Sequence, residues 1–140
     1  MTHATKQRTI TWGDLDALGI VFYPRYYEWI DEASHYFFDS LGLNLVKLWK
    51  ERKMIFGLIE TGCKYLSPGR YGDIIKIETT LDTLEPKTLT LTHTIYRMPA
   101  EELLAEGFEK RICLDVSHPL KFRAIPIPKD IQAMLEGSGG

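Results

Sequence analysis

Polar and apolar positions alternate near the start of the chain, where Thr9 and Thr11 interleave with Ile10 and Trp12. A period of two marks one buried face, so Arg8 to Trp12 predicts a first strand. The loop from Gly13 to Tyr23 is rich in Asp and Gly, and Pro24 then stands where proline is favoured, in the first turn of a helix. From there the period changes. Tyr26, Ile30, Ala33, Phe37 and Leu41 recur at intervals of three and four, while Arg25, Glu28, Glu32, His35 and Asp39 fall mostly off that stripe. Gly42 supplies the stop. A helix of about 18 residues is about 27 Å long, enough to span a small domain, and its apolar stripe needs a sheet against it.

The rest of the chain offers that sheet. A short helical piece around Leu45 to Lys50 precedes four strand-like runs, Ile55 to Tyr65, Asp73 to Leu84, Thr88 to Met98 and Leu103 to Val116. Their connections, SPGRYG, EPK and PAEE, are short and turn-forming, as antiparallel neighbours require. A last apolar run, Phe122 to Ile127, leads to a short helix near Lys129 to Leu135. Helix and strands are segregated along the chain, which predicts an α+β fold with an antiparallel sheet of five or six strands around one long helix. Such a sheet keeps an open edge, with Ile55 to Tyr65 as the candidate, so self-association is expected.

Composition narrows the class. A chain of 140 residues suits a single domain, taken as residues 1–136, with 137–140 (Gly-Ser-Gly-Gly) as a flexible tail. With 44% hydrophobic and 26% charged residues, disorder is excluded. A net charge of -2 gives no broad cationic field, which argues against nucleic acid as a partner. No apolar run reaches the roughly 18 residues of a membrane span and the N-terminus has no hydrophobic leader, so a cytoplasmic protein without membrane contact is expected. The two cysteines, Cys63 and Cys113, read as reduced structural thiols.

Candidate chemistry concentrates in WGDLDALGIVFYPRYYEW, where Asp14 and Asp16 stand just before the predicted helix. Acids in such loops commonly form turns and caps. A calcium loop counted from Asp14 fails, because Leu18 and Arg25 occupy positions that need oxygen ligands. His3, His35, His93 and His118 lack metal-ligand spacing, and no metal site is expected. His93, alternating with threonines, reads as a buried hydrogen-bonded residue in preference to a thiol-imidazole partner of Cys63 or Cys113. The nucleophile elbow, the P-loop and the dinucleotide fingerprint are all missing.

The string GDLDALGIVFYPRYYEWIDEA resembles the active-site segment of the hot-dog-fold thioesterases, in particular the 4-hydroxybenzoyl-CoA thioesterase branch. A second stretch, YLSPGRYGD with Tyr65, Pro68, Gly72 and Asp73, resembles that branch's strand connection. The resemblance implies a hot-dog fold and hydrolysis of an acyl-CoA thioester without metal or redox cofactor. It implies that Asp16 is the catalytic carboxylate, as nucleophile or general base, and that the Tyr23 backbone N–H receives the thioester oxygen. A helix N-terminus suits that task, since its N–H groups are unpaired and carry partial positive charge. The Tyr23-Pro24 pair resembles the aromatic-acyl form of the motif, in which Asp31 would meet a phenol hydroxyl; otherwise Asp31 is an ion-pair partner for Arg25 or Lys47. Another branch carries its acid on the helix, which makes Asp31 or Glu32 the fallback catalyst. Lys87, and more weakly Arg123 and Arg70, are expected at the coenzyme phosphates. In a homodimer or dimer of dimers, Thr61 would lie beside the partner's catalytic loop. An acyl carrier protein thioesterase using Lys47, Lys50, Arg52 and Lys53, and a non-catalytic acyl-CoA-binding module, are the alternatives.

Overall fold

The structure, a computed structural model, describes residues 2–137; the rest of the expected tail, 138–140, lies outside the described residues. The first strand, β1, is His3–Thr9, earlier than its sequence pattern suggests. The chain leaves it at Ile10 and enters a 3-10 turn at Trp12–Asp14, where Trp12 is 77% exposed. Two physical facts displace the expected strand. Asp14 pulls the chain into a turn by accepting from the Thr11 N–H at 2.8 Å and the Thr11 hydroxyl at 3.0 Å. The inward face of β1 is covered by the stems of Lys6 and Arg8, which lie over the rings of Tyr36 and Trp29, so it carries no apolar signal.

The long helix, α1, is Pro24–Ser40. It is followed by α2 at Leu45–Arg52, β2 at Met54–Tyr65, β3 at Ile74–Leu84, β4 at Thr88–Arg97, β5 at Glu102–Asp115, β6 at Arg123–Ala124 and α3 at Lys129–Leu135. The sheet is antiparallel throughout, in the order β1-β3-β4-β5-β2 with β6 on β5. The α+β hot-dog layout holds, with six strands. The last apolar run shrinks to a two-residue strand, because Ile125 and Ile127 bond singly to Cys113 and Pro86 across the ends of other strands. As expected, β2 is an edge strand, and its Leu58 and Ile59 are about half exposed. No helix among the described residues is long and apolar enough to cross a membrane.

The predicted stripe of α1 is the buried one: Tyr26, Ile30, Ala33 and Phe37 are all inside. Helix and sheet approach closely at Gly107 on β5, where a Cβ would stand 2.6 Å from Ile30 Cδ1. The core is not continuous. One apolar cluster gathers around Ile30, Ile75, Ile77 and Ile95, and another around Phe37, Phe38, Leu89 and Leu91. Between them run buried Ser34, Thr79, His93, Glu109 and Arg111. His93 is the satisfied core histidine expected, its ring nitrogens 2.8 Å from Thr79 Oγ1 and 2.8 Å from Glu109 Oε1. No thiol-imidazole pair forms. Both cysteines are free, and burial pushes the Cys113 thiol up to about 11.

Candidate active site

Asp14 organises the loop between β1 and α1. Its buried carboxylate holds Thr11 and lies 3.6 Å from Arg8 Nη2 and 4.0 Å from Arg25 Nε. Its carbonyl accepts from Phe22 N–H at 2.8 Å. Inside that frame Asp16 N–H bonds Ile20 O at 2.8 Å and Gly19 N–H bonds Asp16 O at 3.0 Å, a turn that Gly19 closes with a φ of +76°. Asp16 is thereby projected outward. Its Oδ1 accepts from Leu18 N–H at 2.8 Å, while Oδ2 has no partner among the described residues.

The YLSPGRYGD connection clamps the other side of the loop. Val21 N–H donates to Gly69 O at 2.9 Å, and Ile20 pairs with Arg70. Only glycine fits at 69, since a Cβ would lie 2.8 Å from Ile10 Cδ1 and 2.9 Å from Val21 Cγ2. Asp73 fixes the connection by accepting from Arg70 N–H at 2.9 Å and Arg97 Nη1 at 2.8 Å.

At the start of α1, Pro24 has no N–H, Arg25 N–H bonds Phe22 O at 2.9 Å, and Tyr26 N–H bonds Tyr23 O at 3.1 Å. The Tyr23 N–H donates to no described group. Asp16 and Tyr23 line one cavity of about 370 Å³, together with Tyr26, Tyr65, Pro68 and Gly69. The Tyr65 ring centroid lies 6.3 Å from that of Tyr23 and 5.4 Å from that of Tyr26, in tilted and edge-on geometry. Burial pushes the Tyr65 phenol upward, reinforced by neighbouring Cys63 and Tyr27, and also raises Tyr26, with the Gly69 backbone opposing. The cavity thus combines one carboxylate, one unengaged backbone donor and neutral aromatic walls.

The remaining predicted residues are dispersed. Asp31 pairs with Arg111 Nη2 at 3.2 Å and lies 3.7 Å from His35, so the expected partners are corrected: Arg25 reaches Glu28 at 3.0 Å instead, and Lys47 is not involved. Glu32 pairs with Lys6 and Arg8 of β1 and does not line the cavity. Thr61, on the open edge, donates to Phe108 O at 2.8 Å. Neighbouring Gly62 is in register with Phe108, and the β2 bulge falls at Leu58/Glu60.

Lys87 and Arg123 lie far from the cavity of their own chain. The Lys87 carbonyl accepts from Cys113 N–H at 2.8 Å, and Arg123 bonds Asp115 at 3.1 Å. Tyr65 pairs with Ala105. The eight-residue separation from Ala105 to Cys113 along β5 amounts to about 27 Å. The β3–β4 turn is simply at the other end of the sheet from the β2–β3 connection. Arg70, rated weaker, is the one beside the loop.

Residues 10–135 match the family model described as the thioesterase-like superfamily. The chain belongs to that superfamily. It is 28% identical over 134 residues to 4-hydroxybenzoyl-CoA thioesterase of Pseudomonas sp. strain CBS-3, covering 90% of this chain and 92% of that one. A solved structure of an Asp-to-Asn variant of 4-hydroxybenzoyl-CoA thioesterase, complexed with 4-hydroxybenzoyl-CoA, superposes with a TM-score of 0.88 at 26% identity, covering 96% and 99% of the two chains. A gentisyl-coenzyme A thioesterase superposes at 0.82 with 31% identity over 94% and 99%. As a member of this superfamily the protein is a thioester hydrolase.

The two loop acids separate by stability. Asp14→Ala removes a buried cap and the partner of two arginines, and costs about 1–2 kcal/mol in urea denaturation. Asp16→Ala loses a single exposed turn bond and costs under about 1 kcal/mol in the same measurement.

Proposed function

We propose that the protein is an acyl-CoA thioesterase acting on aromatic, hydroxybenzoyl-like or otherwise compact acyl groups. The observation that carries this reading is that Asp16, with one carboxylate oxygen free, and Tyr23, with an unengaged N–H, line the same tyrosine-walled cavity. The thioester carbonyl oxygen accepts from the Tyr23 N–H, so that charge developing on it meets a fixed donor at the positive end of α1. Asp16 then acts in one of two ways. As a nucleophile it attacks the carbonyl carbon, expels the coenzyme thiolate and leaves an acyl anhydride that water opens. As a general base it takes a proton from water while the water oxygen bonds the carbonyl carbon; the tetrahedral intermediate then collapses, the C–S bond breaks and the leaving thiolate takes up the proton. Either route gives the free acid and coenzyme A and needs the same ionised carboxylate in the same place.

The aromatic preference draws support from the three tyrosine rings at the cavity and from the relatives, which include a 1,4-dihydroxy-2-naphthoyl-CoA hydrolase of Thermosynechococcus vestitus at 25% identity. Asp31 falls on the same helical face as Tyr23 and Tyr27 at four-residue intervals, beyond the cavity. A phenol hydroxyl donating to it gives the acyl group a polar terminus to read.

Two copies complete the site. Pairing of β2 with a second β2 across a two-fold axis covers Leu58 and Ile59 and sets the Tyr65 end of one strand beside the Met54 end of the other. The partner's sheet end carrying Lys87 and Arg123 then flanks the cavity and supplies cations for the coenzyme phosphates, and Thr61 meets the partner's loop.

Asp16→Asn keeps the shape and removes the base or nucleophile; kcat falls by about 10² or more in a free-thiol assay on 4-hydroxybenzoyl-CoA, with the fold retained. Near-normal turnover refutes the assignment, as does a better substrate among medium or long aliphatic acyl-CoAs. On dilution, activity declines in step with dissociation followed by light scattering; a fully active monomer excludes the composite site.

A further inference from the structure

The polar layer that divides the core has no packing reason to exist. Inward positions on β3 run Ile75, Ile77, Thr79, Leu81, and on β4 Leu89, Leu91, His93, Ile95, so apolar residues stand on both sides of it. Buried ion pairs are costly to desolvate and apolar residues of similar volume commonly serve stability as well or better. The layer also has a direction. His93 is fixed by Thr79 at its Nδ1 and meets Glu109 Oε1 at its Nε2, where the Ser34 hydroxyl also donates. Glu109 Oε2 receives Arg111 Nη2 at 2.7 Å, and Arg111 Nη1 donates to Phe56 O at 3.1 Å. Arg111, with only 6% of its side chain exposed, then reaches outward to Asp31 Oδ1 at 3.2 Å. Asp31 is 61% exposed, and its Oδ2 has no partner among the described residues. The network begins in the core and ends on one half-occupied carboxylate at the surface.

That carboxylate stands next to His35 and Arg111, which line a second cavity. It lies eight residues beyond Tyr23 on α1, about 12 Å along the axis. That cavity, of about 250 Å³, is also walled by Trp49, Ile55 and Phe56. Arg111 Nε, buried, has no hydrogen-bond partner.

Resting on the aromatic-acyl reading above, we propose that Arg111 is a positioning residue for substrate selection: it holds Asp31 in place as an acceptor for a hydroxyl at the far end of the acyl group, and Glu109 with His93 hold Arg111. A carboxylate offers acceptor oxygens, so one fixed at the end of the acyl site favours a phenol that donates over an unsubstituted ring. A surface acid on a helix otherwise samples several rotamers, and ordering it on binding weakens the contact. The guanidinium fork serves Phe56 O, Glu109 and Asp31 together, which the single ammonium of lysine does not reproduce.

The test compares kcat and KM for 4-hydroxybenzoyl-CoA and benzoyl-CoA in the unmodified protein, Asp31→Ala, Arg111→Lys and the double variant Glu109→Gln/Arg111→Met. Lysine keeps a charge against Glu109 in the core. The double variant leaves no uncompensated charge, so it stands in where Arg111→Lys fails to fold. The expected result is a hydroxybenzoyl-to-benzoyl ratio of kcat/KM that drops about tenfold in both Arg111 variants, matching Asp31→Ala in direction and carried by KM. An unchanged ratio in the Arg111 variants, with the ratio lost in Asp31→Ala, overturns the positioning role and leaves the aromatic reading standing. Equal losses on both substrates, or losses confined to kcat, also overturn it. Failure of the unmodified protein to cleave either aroyl-CoA ends the aromatic reading and this inference with it.

Discussion

The Asp14 carboxylate is the constraint on which the working end of the molecule depends. Seven residues separate Asp16 from Tyr23, and nothing local requires their functional atoms to face one cavity. Asp14 joins the pieces by holding the end of β1 through Thr11 and Arg8, approaching Arg25 in the first turn of α1, and tying back Phe22 through its carbonyl. With the loop closed at both ends, the Asp16 turn has one direction in which to project. The buried carboxylate is held by two donors and approached by two cations, and its removal takes away the one group they share, although Arg8 keeps Glu32 and Arg25 keeps Glu28. The acid that supports the loop therefore differs from the acid offered to the cavity, although two positions separate them in sequence.

The same division of labour extends through α1. Its buried stripe fixes the axis against the sheet, with Gly107 letting Ile30 sit directly on β5. Its first turn leaves the Tyr23 donor unengaged because Tyr23 stands at the helix start, where no carbonyl one turn earlier is placed to accept from it. Rigidity at the stripe is what gives the free donor a defined place, since a backbone group pre-set by packing needs no reorganisation when charge develops opposite it.

Much of this was legible in the residues. Segregated periods of 3.6 and 2 gave helix, strands and class, and Pro24 and Gly42 bounded α1 correctly because φ restriction and the left-handed region are local properties. The β1 error arose because its inward residues are Lys6 and Arg8, whose aliphatic stems do the covering while their charges read as surface. The distance of Lys87 and Arg123 from the cavity of their own chain was hidden for a different reason: sequence shows that a turn exists but not at which end of the sheet it lies. The Tyr65 wall and the Arg111 network were missed as site features, yet a trace was present. Glu109 and Arg111 fall in phase with Ala105 and Cys113 on β5, and charges in the apolar phase of a strand are the signature of a buried polar system.

Edge strand β2 brings these threads together. An open strand with exposed Leu58 and Ile59 is an aggregation hazard unless something covers it, and the bulge at Leu58/Glu60 with the Glu60 charge blunts the edge only at that point. The same strand ends in Tyr65, a wall of the cavity, and begins at Met54, where the sheet carries the cations that the cavity lacks. Antiparallel pairing of two such strands reverses one relative to the other, so in the proposed dimer a single symmetric contact would resolve both the hazard and the deficiency. A chain that carried its phosphate-binding cations beside its own acid would place unlike charges next to Asp16 at all times and lower its basicity. In the proposed dimer, supplying them from a second copy at the far end of the substrate would keep the attraction for the coenzyme separate from the carboxylate proposed to act on the thioester.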